Sequence, residues 1–237
     1  MAGVDTRYAP LAGMVVERFV RQLGGRLHSA FVKGSVARGD AVWGVSDMDL
    51  VLAFGSPTPG DTACKREVET LARAMTGGDA LVIQRIWHDR LAQMDAGTRA
   101  WWLHSSRHDI ALLHGAPPSA FLPAPPPRDE LALRMALIIR RDAETLASAD
   151  RLDRQGARQF SKLTLLALGL PAIFTGAAEH VPPLAVPSLP LPERVRRDLP
   201  PVLAAYRDAP ALDDPRTLQQ GWSTAWEWVS KRLSIRG

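Results

Sequence analysis

The stretch that decides the fold lies near the N-terminus and reads GSVARGD at residues 34–40, followed by SDMDL at residues 46–50. Residues 27–32 before it, LHSAFV, are mostly apolar and predict a strand that ends at Lys33. A Gly-Ser pair then opens a turn into a short helix, and Gly34 lets the backbone approach a ligand closely. The amides and the hydroxyl at Ser35 can hold phosphate oxygens. The first part of the stretch therefore predicts a phosphate-binding turn.

The second part of the stretch places two carboxylates at the head of an apolar strand, predicted over residues 47–54. Because side chains alternate along a strand, Asp47 and Asp49 point to the same face, about 7 Å apart. Mg²⁺ prefers oxygen ligands and bridges protein carboxylates to substrate phosphates. Either motif alone is common in solvated turns and strand ends. Their order on predicted strands and a turn favours a joint phosphate and metal site.

The N-terminal half alternates helix and strand patterns, which predicts an α/β arrangement around a mixed sheet. Apolar residues at every fourth position predict a helix over residues 11–23, and further strands are predicted over residues 80–87 and 110–113. Asp61 is predicted to cap another helix. The predicted apolar face of that helix comprises Cys64, Val68, Leu71 and Met75.

A proline-rich stretch at residues 117–127 divides the chain, because proline lacks an amide donor and cannot continue a helix or a central strand. The remainder reads as helices, with one predicted near residues 194–206 and interrupted by Pro200 and Pro201. We therefore predict an α+β domain at residues 1–116, a linker at 117–127, and a helical substrate-binding domain at 128–237.

Composition restricts the class of protein further. The chain has 237 residues, 46% of them hydrophobic, and its 29 basic and 25 acidic residues leave a net charge of +4. This mild excess fits an anionic small molecule and is too small to favour nucleic acid. Cys64 is the single cysteine, which excludes an internal disulfide. The absence of a signal-peptide pattern or a long apolar run predicts a cytoplasmic protein without a membrane span.

Residues 34–54, GSVARGDAVWGVSDMDLVLAF, resemble the motif of the polymerase-β-like nucleotidyltransferase superfamily, and especially its minimal and aminoglycoside nucleotidyltransferases. The resemblance implies that Gly34 and Ser35 bind the triphosphate, and that Asp47 and Asp49 hold Mg²⁺ and serve catalysis. Two further residues of the motif, Arg38 and Ser46, are assigned to the nucleotide site. For Arg38, steadying the loop, touching phosphate and forming a surface ion pair remain open.

The helical half resembles, more loosely, the C-terminal bundles of antibiotic nucleotidyltransferases. In those proteins a basic residue on such a helix often contacts the triphosphate, which makes Lys162 the candidate here. A plain surface lysine is the alternative. An acceptor is expected between the two parts, as small ligands often bind at domain interfaces.

The chain departs from the family at the third carboxylate, which active members usually supply from a neighbouring strand. Gln84 occupies the expected place on the strand at residues 80–87, and Asp79 and Asp89 flank that strand with poorer spacing. A neutral amide can neither act as a base nor balance a second cation. His104 and His108 have a helical spacing that could grip a metal, but a helix end is expected between them, and a site there is disfavoured.

Three functions fit these observations. The first is Mg²⁺-dependent transfer of a nucleoside monophosphate from a nucleoside triphosphate, with ATP expected, to a hydroxyl of a small molecule such as an aminoglycoside. The second keeps this chemistry and places the nucleotide on a protein partner, as some antitoxins do. The third, motivated by Gln84, is a nucleotide-binding module without turnover. Transfer to RNA is disfavoured, since no RNA-binding module is recognisable.

Overall fold

The structure is a computed structural model, and it describes residues 3–55, 58–76, 81–86, 91 and 93–235. The chain divides into two compact units. Unit 1 comprises Met1–Asp95 and Trp102–Ala124, and unit 2 comprises Ala96–Trp101 and Pro125–Gly237. The division after Ala124 falls within the proline-rich stretch, and residues 96–101 group with the helical unit.

Unit 1 is built on a four-stranded sheet with the order β3-β2-β1-β4. Its strands are Leu27–Lys33 (β1), Met48–Phe54 (β2), Leu81–Ile86 (β3) and Ile110–Gly115 (β4). The central strand β1 runs antiparallel to β2 and β4, whereas β2 and β3 are parallel. The predicted mixed sheet is therefore confirmed. Ala80 and Trp87, the predicted ends of the third strand, lie outside the described residues.

The helices of unit 1 cover both faces of this sheet. Among the described residues they include Ala9–Leu23 (α1), Ser35–Arg38 (α2), Pro59–Thr76 (α3) and Ala96–His108 (α4), of which α4 contributes its second half to this unit. Met48, Leu50 and Leu52 pack in a core with buried residues of α1 and α3. Val51 packs instead with Phe31 and with residues of α4. The odd-numbered side chains of β2, Asp49 among them, thus lie on the face that α4 covers.

The helix α3 begins earlier than predicted and buries a different face. Pro59 is its first residue, so Asp61 lies inside the first turn rather than at the cap. The carboxylate of Asp61 accepts a hydrogen bond from the Thr58 amide at 2.7 Å, which caps the helix from the third position. Spacing by four continues from Cys64 and Val68 to Ala72. The predicted face residues Leu71 and Met75 are exposed, because they lie off this stripe.

Replacing Asp61 by alanine is expected to lower the free energy of unfolding by about 2 kcal/mol, because a buried carboxylate with three hydrogen bonds is lost. The Arg26 guanidinium that donates two of them holds the pKa of Asp61 well below its ordinary value of 3.8. A depressed pKa stabilises the fold above the unfolded value, so the contribution is complete above about pH 4 and is lost as pH falls further. Urea denaturation of wild type and variant at neutral and acidic pH measures both effects.

Asp61→Asn is the matched control, since its amide oxygen can still accept from Thr58 while the ionic bond to Arg26 is lost. It should retain part of the stability at neutral pH. Equal urea midpoints for wild type and Asp61→Ala at neutral pH would contradict the assignment.

Unit 2 is helical, with Arg128–Ala147 (α5), Arg154–Phe174 (α6), Glu193–Asp208 (α7) and Arg216–Arg232 (α8). A core of buried residues from these helices surrounds α6, including Phe160, Leu163 and Trp222. The predicted interruption at Pro200 and Pro201 is wrong, because α7 continues through both prolines while its flanking apolar residues stay buried. Within the part of the chain described, no helix combines the length and the apolar character needed to cross a membrane.

Candidate functional site

Gly34 forms the turn between β1 and α2 in a conformation that excludes other residues. Its φ of 74° and ψ of −145° lie in a region that essentially only glycine adopts. The Gly34 amide donates to the Asp109 carbonyl oxygen at 2.9 Å, so this amide is already used within the protein. A Cβ built on Gly34 would lie 3.6 Å from Asp49 Oδ2. The missing side chain therefore leaves space directly beside one of the two motif carboxylates.

Ser35 begins the single turn of α2 and is half-buried. Its carbonyl oxygen accepts from the Asp40 amide at 3.0 Å, which closes the turn at its other end. The first amides of a helix have no acceptor within the helix. Val36 is fully buried, so the Ser35 amide and the Ser35 hydroxyl are the groups through which this turn could donate to a phosphate. Gly34 allows the phosphate to approach the backbone closely and does not itself donate to it.

Arg38 ties the turn to the sheet through ion pairs. Its guanidinium donates to the Asp109 carboxylate at 2.7 Å and to the Asp40 carboxylate at 3.3 Å, and all three side chains are largely buried. Asp109 also accepts the Gly34 amide through its carbonyl oxygen. Arg38 thereby holds both ends of the Gly34 turn in place. These contacts support the loop-steadying role among the predicted alternatives, and a phosphate contact stays a prediction.

Ser46 closes the loop that leads to the carboxylates. Its Oγ accepts from the Val42 amide at 2.9 Å, and its carbonyl oxygen accepts from the Tyr8 hydroxyl at 2.7 Å. Arg7 donates to the Ala41 carbonyl oxygen at 2.6 Å, so the segment before α1 anchors this loop twice. The hydrogen bonds from Arg7 hold the pKa of Asp5 below its ordinary value. Ser46 thus fixes where β2 begins, and its predicted nucleotide contact remains a prediction.

Asp47 and Asp49 are half-buried at the start of β2. Alternation along β2 places Asp49 on the α4 face of the sheet, beside the space that Gly34 leaves open, and Asp47 directly precedes the strand. Two carboxylates with oxygen donors nearby suit a hard divalent cation such as Mg²⁺. The structure therefore places the Asp49 carboxylate beside the Gly34 turn, and the metal role of Asp47 and Asp49 stays a prediction.

A third carboxylate is not found on the described part of β3. Val82 lies in register with Asp49, and Gln84 lies in register with Val51. Asp79 and Asp89 lie outside the described residues. Across the described ranges, no three His, Cys, Asp or Glu side chains are grouped closely enough to hold a metal ion.

The other positions singled out in the sequence are a histidine pair on α4 and Lys162 on α6. His104 and His108 are on one continuous helix, α4, with ring centroids 4.7 Å apart, so the helix end expected between them is wrong. Lys162 is half-buried on α6 and belongs to unit 2. Its contact with a triphosphate stays a prediction.

Comparison with solved structures identifies the fold of the whole chain as nucleotidyltransferase-like. A similar structure is that of spectinomycin adenyltransferase AAD(9) from Enterococcus faecialis with ATP and spectinomycin. The TM-score is 0.61, the sequence identity is 13%, and the match covers 95% of this chain and 99% of that one. No protein-family model and no curated protein sequence matches the chain. The fold that the motif predicted is therefore confirmed by structure.

Sequence reasoning missed two residues that shape the site. Lys33 served only to mark the end of β1, yet its side chain is buried. Asp109 was not considered, although it binds both Arg38 and Gly34. For Lys33, the signal in the sequence was a charged residue at the end of a mostly apolar strand. For Asp109, it was an acidic residue directly before a predicted strand.

Proposed function

We propose that the protein is a nucleotidyltransferase that moves a nucleoside monophosphate from a nucleoside triphosphate, with ATP expected, to a hydroxyl of a small-molecule acceptor. The observation that carries this proposal is the open space at Gly34 beside the Asp49 carboxylate. It lies next to a turn that can hold phosphate, in a chain whose fold is nucleotidyltransferase-like. A cradle and a carboxylate pair side by side are what phosphoryl chemistry with a hard metal ion requires.

The chemistry consists of one substitution at the α-phosphorus. The acceptor hydroxyl oxygen forms a bond to that phosphorus and gives its proton to solvent water, the bond to the bridging oxygen breaks, and pyrophosphate leaves. The turn at Ser35 would bind and orient the phosphates, and Arg38 would keep the turn rigid through Asp109. Asp47 and Asp49 would hold Mg²⁺, which when bound neutralises charge on the phosphates.

A small molecule is the proposed acceptor because the chain carries a complete helical unit in addition to the unit that holds the carboxylate and Gly-Ser motif. The similar adenyltransferase was solved with ATP and spectinomycin, which supports the same substrate classes here. An aminoglycoside-like compound with several hydroxyls is therefore the acceptor to test first.

The proposal is tested by measuring nucleotide-dependent pyrophosphate release with Mg²⁺ against a panel of aminoglycosides, including spectinomycin. Asp49→Asn is the matched negative control, since it keeps the shape of the side chain and removes its charge. Release that needs both an acceptor and Asp49, with a product heavier by one nucleotide, supports the proposal. Nucleotide binding without release on any acceptor would support a binding module instead. A nucleotide adduct on a co-purified protein would point to a protein acceptor.

A further inference from the structure

Lys33 is a buried cation at the edge of the candidate site. It is the last residue of β1, directly before Gly34, and only 8% of it is exposed. Lysine is almost never buried to this degree unless its charge is compensated, because desolvating an ammonium is costly. The position therefore needs an electrostatic reason.

The surroundings of Lys33 supply that reason. Its register partner on β2 is Asp49, and its partner on β4 is Ile110. Cross-strand partners project from the same face of a sheet, with Cβ atoms about 5 Å apart. The Lys33 Nζ lies 5.4 Å from the centroid of the Trp102 ring, a distance at which the ring face attracts a cation. The ammonium is thus held on the face that carries the Asp49 carboxylate.

The charges on this face limit how many metal ions it can hold. Asp49 on β2 and Asp47 directly before it contribute two negative charges, and the Lys33 ammonium opposite Asp49 offsets one of them. The described position on β3 in register with Asp49 is Val82, which adds no charge. A second divalent cation would therefore meet the repulsion of a fixed ammonium without the help of a further acid from these strands.

We propose that Lys33 is a built-in cation of the site, so that Asp47 and Asp49 hold one divalent cation where two would otherwise bind. This inference rests on the proposed nucleotidyl transfer, and it specifies the net charge of the metal site and therefore the number of metal ions that the site binds. Lys33 acts here through the carboxylates and is a positioning residue.

The test counts Mn²⁺ ions bound to the full chain by electron paramagnetic resonance, with saturating α,β-methylene-ATP. We expect one bound ion in wild type. Lys33→Met keeps the apolar stem against Trp102 and removes the charge, so binding of a second ion should tighten at least about tenfold. Lys33→Arg retains the charge and should retain a single ion. Lys65→Met, which removes a lysine paired with Glu69 on α3, controls for general loss of positive charge and should match wild type.

The direction of the change separates this role from a structural one. A distorted β1 would weaken Mn²⁺ binding in Lys33→Met, whereas the proposed role strengthens it. Two ions bound to wild type, or a Lys33→Met variant with unchanged or weaker binding, would overturn the inference and leave the proposed function intact. A wild type that binds neither the nucleotide nor Mn²⁺ would overturn the proposed function as well.

Discussion

Asp49→Ala is expected to lower Mg²⁺-dependent nucleotidyl transfer by about a thousandfold or more, because several kcal/mol of charge stabilisation depend on the metal ligands. The fold should survive, since Asp49 is half-buried and its neighbours Leu50 and Leu52 pack on the opposite face of the sheet. The measurements are pyrophosphate release and Mn²⁺ binding, with circular dichroism to verify the fold. Asp47→Ala should behave in the same way.

The matched control is Asp213→Ala, which removes an exposed carboxylate paired with Arg151 in unit 2. It should transfer nucleotide at the wild-type rate. Full activity in a folded Asp49→Ala variant would refute the metal assignment. Loss of activity in Asp213→Ala to the same extent would show that the assay reports general loss of acidic charge.

Much of unit 1 could be predicted because its information is local. Alternation along residues 47–54 predicted Asp47 and Asp49 on one face and Met48 and Leu50 on the other. The cores divide in that way along β2, where Met48 and Leu50 enter one core and Val51, on the face of Asp49, enters the other. The Gly34 turn was predictable for a similar reason, since a glycine between a strand and a short helix permits a positive φ.

The predictions for α3 and α7 that proved wrong share a different cause. In both helices, tertiary packing determined the structure where the local sequence allowed more than one. In α3 the larger Leu71 and Met75 suggested the buried face, but the helix turns Ala72 inward. In α7 the pair Pro200 and Pro201 lacks two amide donors, and burial of flanking residues such as Leu199 compensates for them.

The parts of the site that escaped prediction depend on residues distant in sequence. The burial of Lys33 requires Trp102, and the Gly34 turn requires Asp109, both from the region of α4. The sequence pattern of residues 27–40 does not predict these two contacts, because Trp102 and Asp109 reach this region only when β4 pairs with β1. A local motif therefore predicts which residues form the site. The charged residues that surround the site can be identified only once the fold is known.

Gly34→Ala is expected to weaken binding of Mg²⁺-nucleotide by about tenfold to a hundredfold, because the turn can relieve the roughly 1–3 kcal/mol of added backbone strain only by leaving its present conformation. The added Cβ would also fill the space 3.6 Å from Asp49 Oδ2. If the backbone rotates to relieve the strain, the hydrogen bond from the Gly34 amide to Asp109 breaks and the turn moves. Either response removes the cradle, and calorimetry with a non-hydrolysable nucleotide measures the loss.

Gly39→Ala separates damage to the cradle from backbone strain in general. Gly39 also has a positive φ, at 77°, but a Cβ there meets nothing within 4 Å, and its conformation is the ordinary left-handed one. Alanine at this position should cost about 1 kcal/mol of stability and leave nucleotide affinity unchanged, because the change stays at the far end of α2. If both variants lose affinity equally, the strain of the loop is responsible rather than the space at Gly34. If a folded Gly34→Ala variant binds nucleotide as wild type does, the phosphate cradle lies elsewhere, and the proposed function loses the observation that carries it.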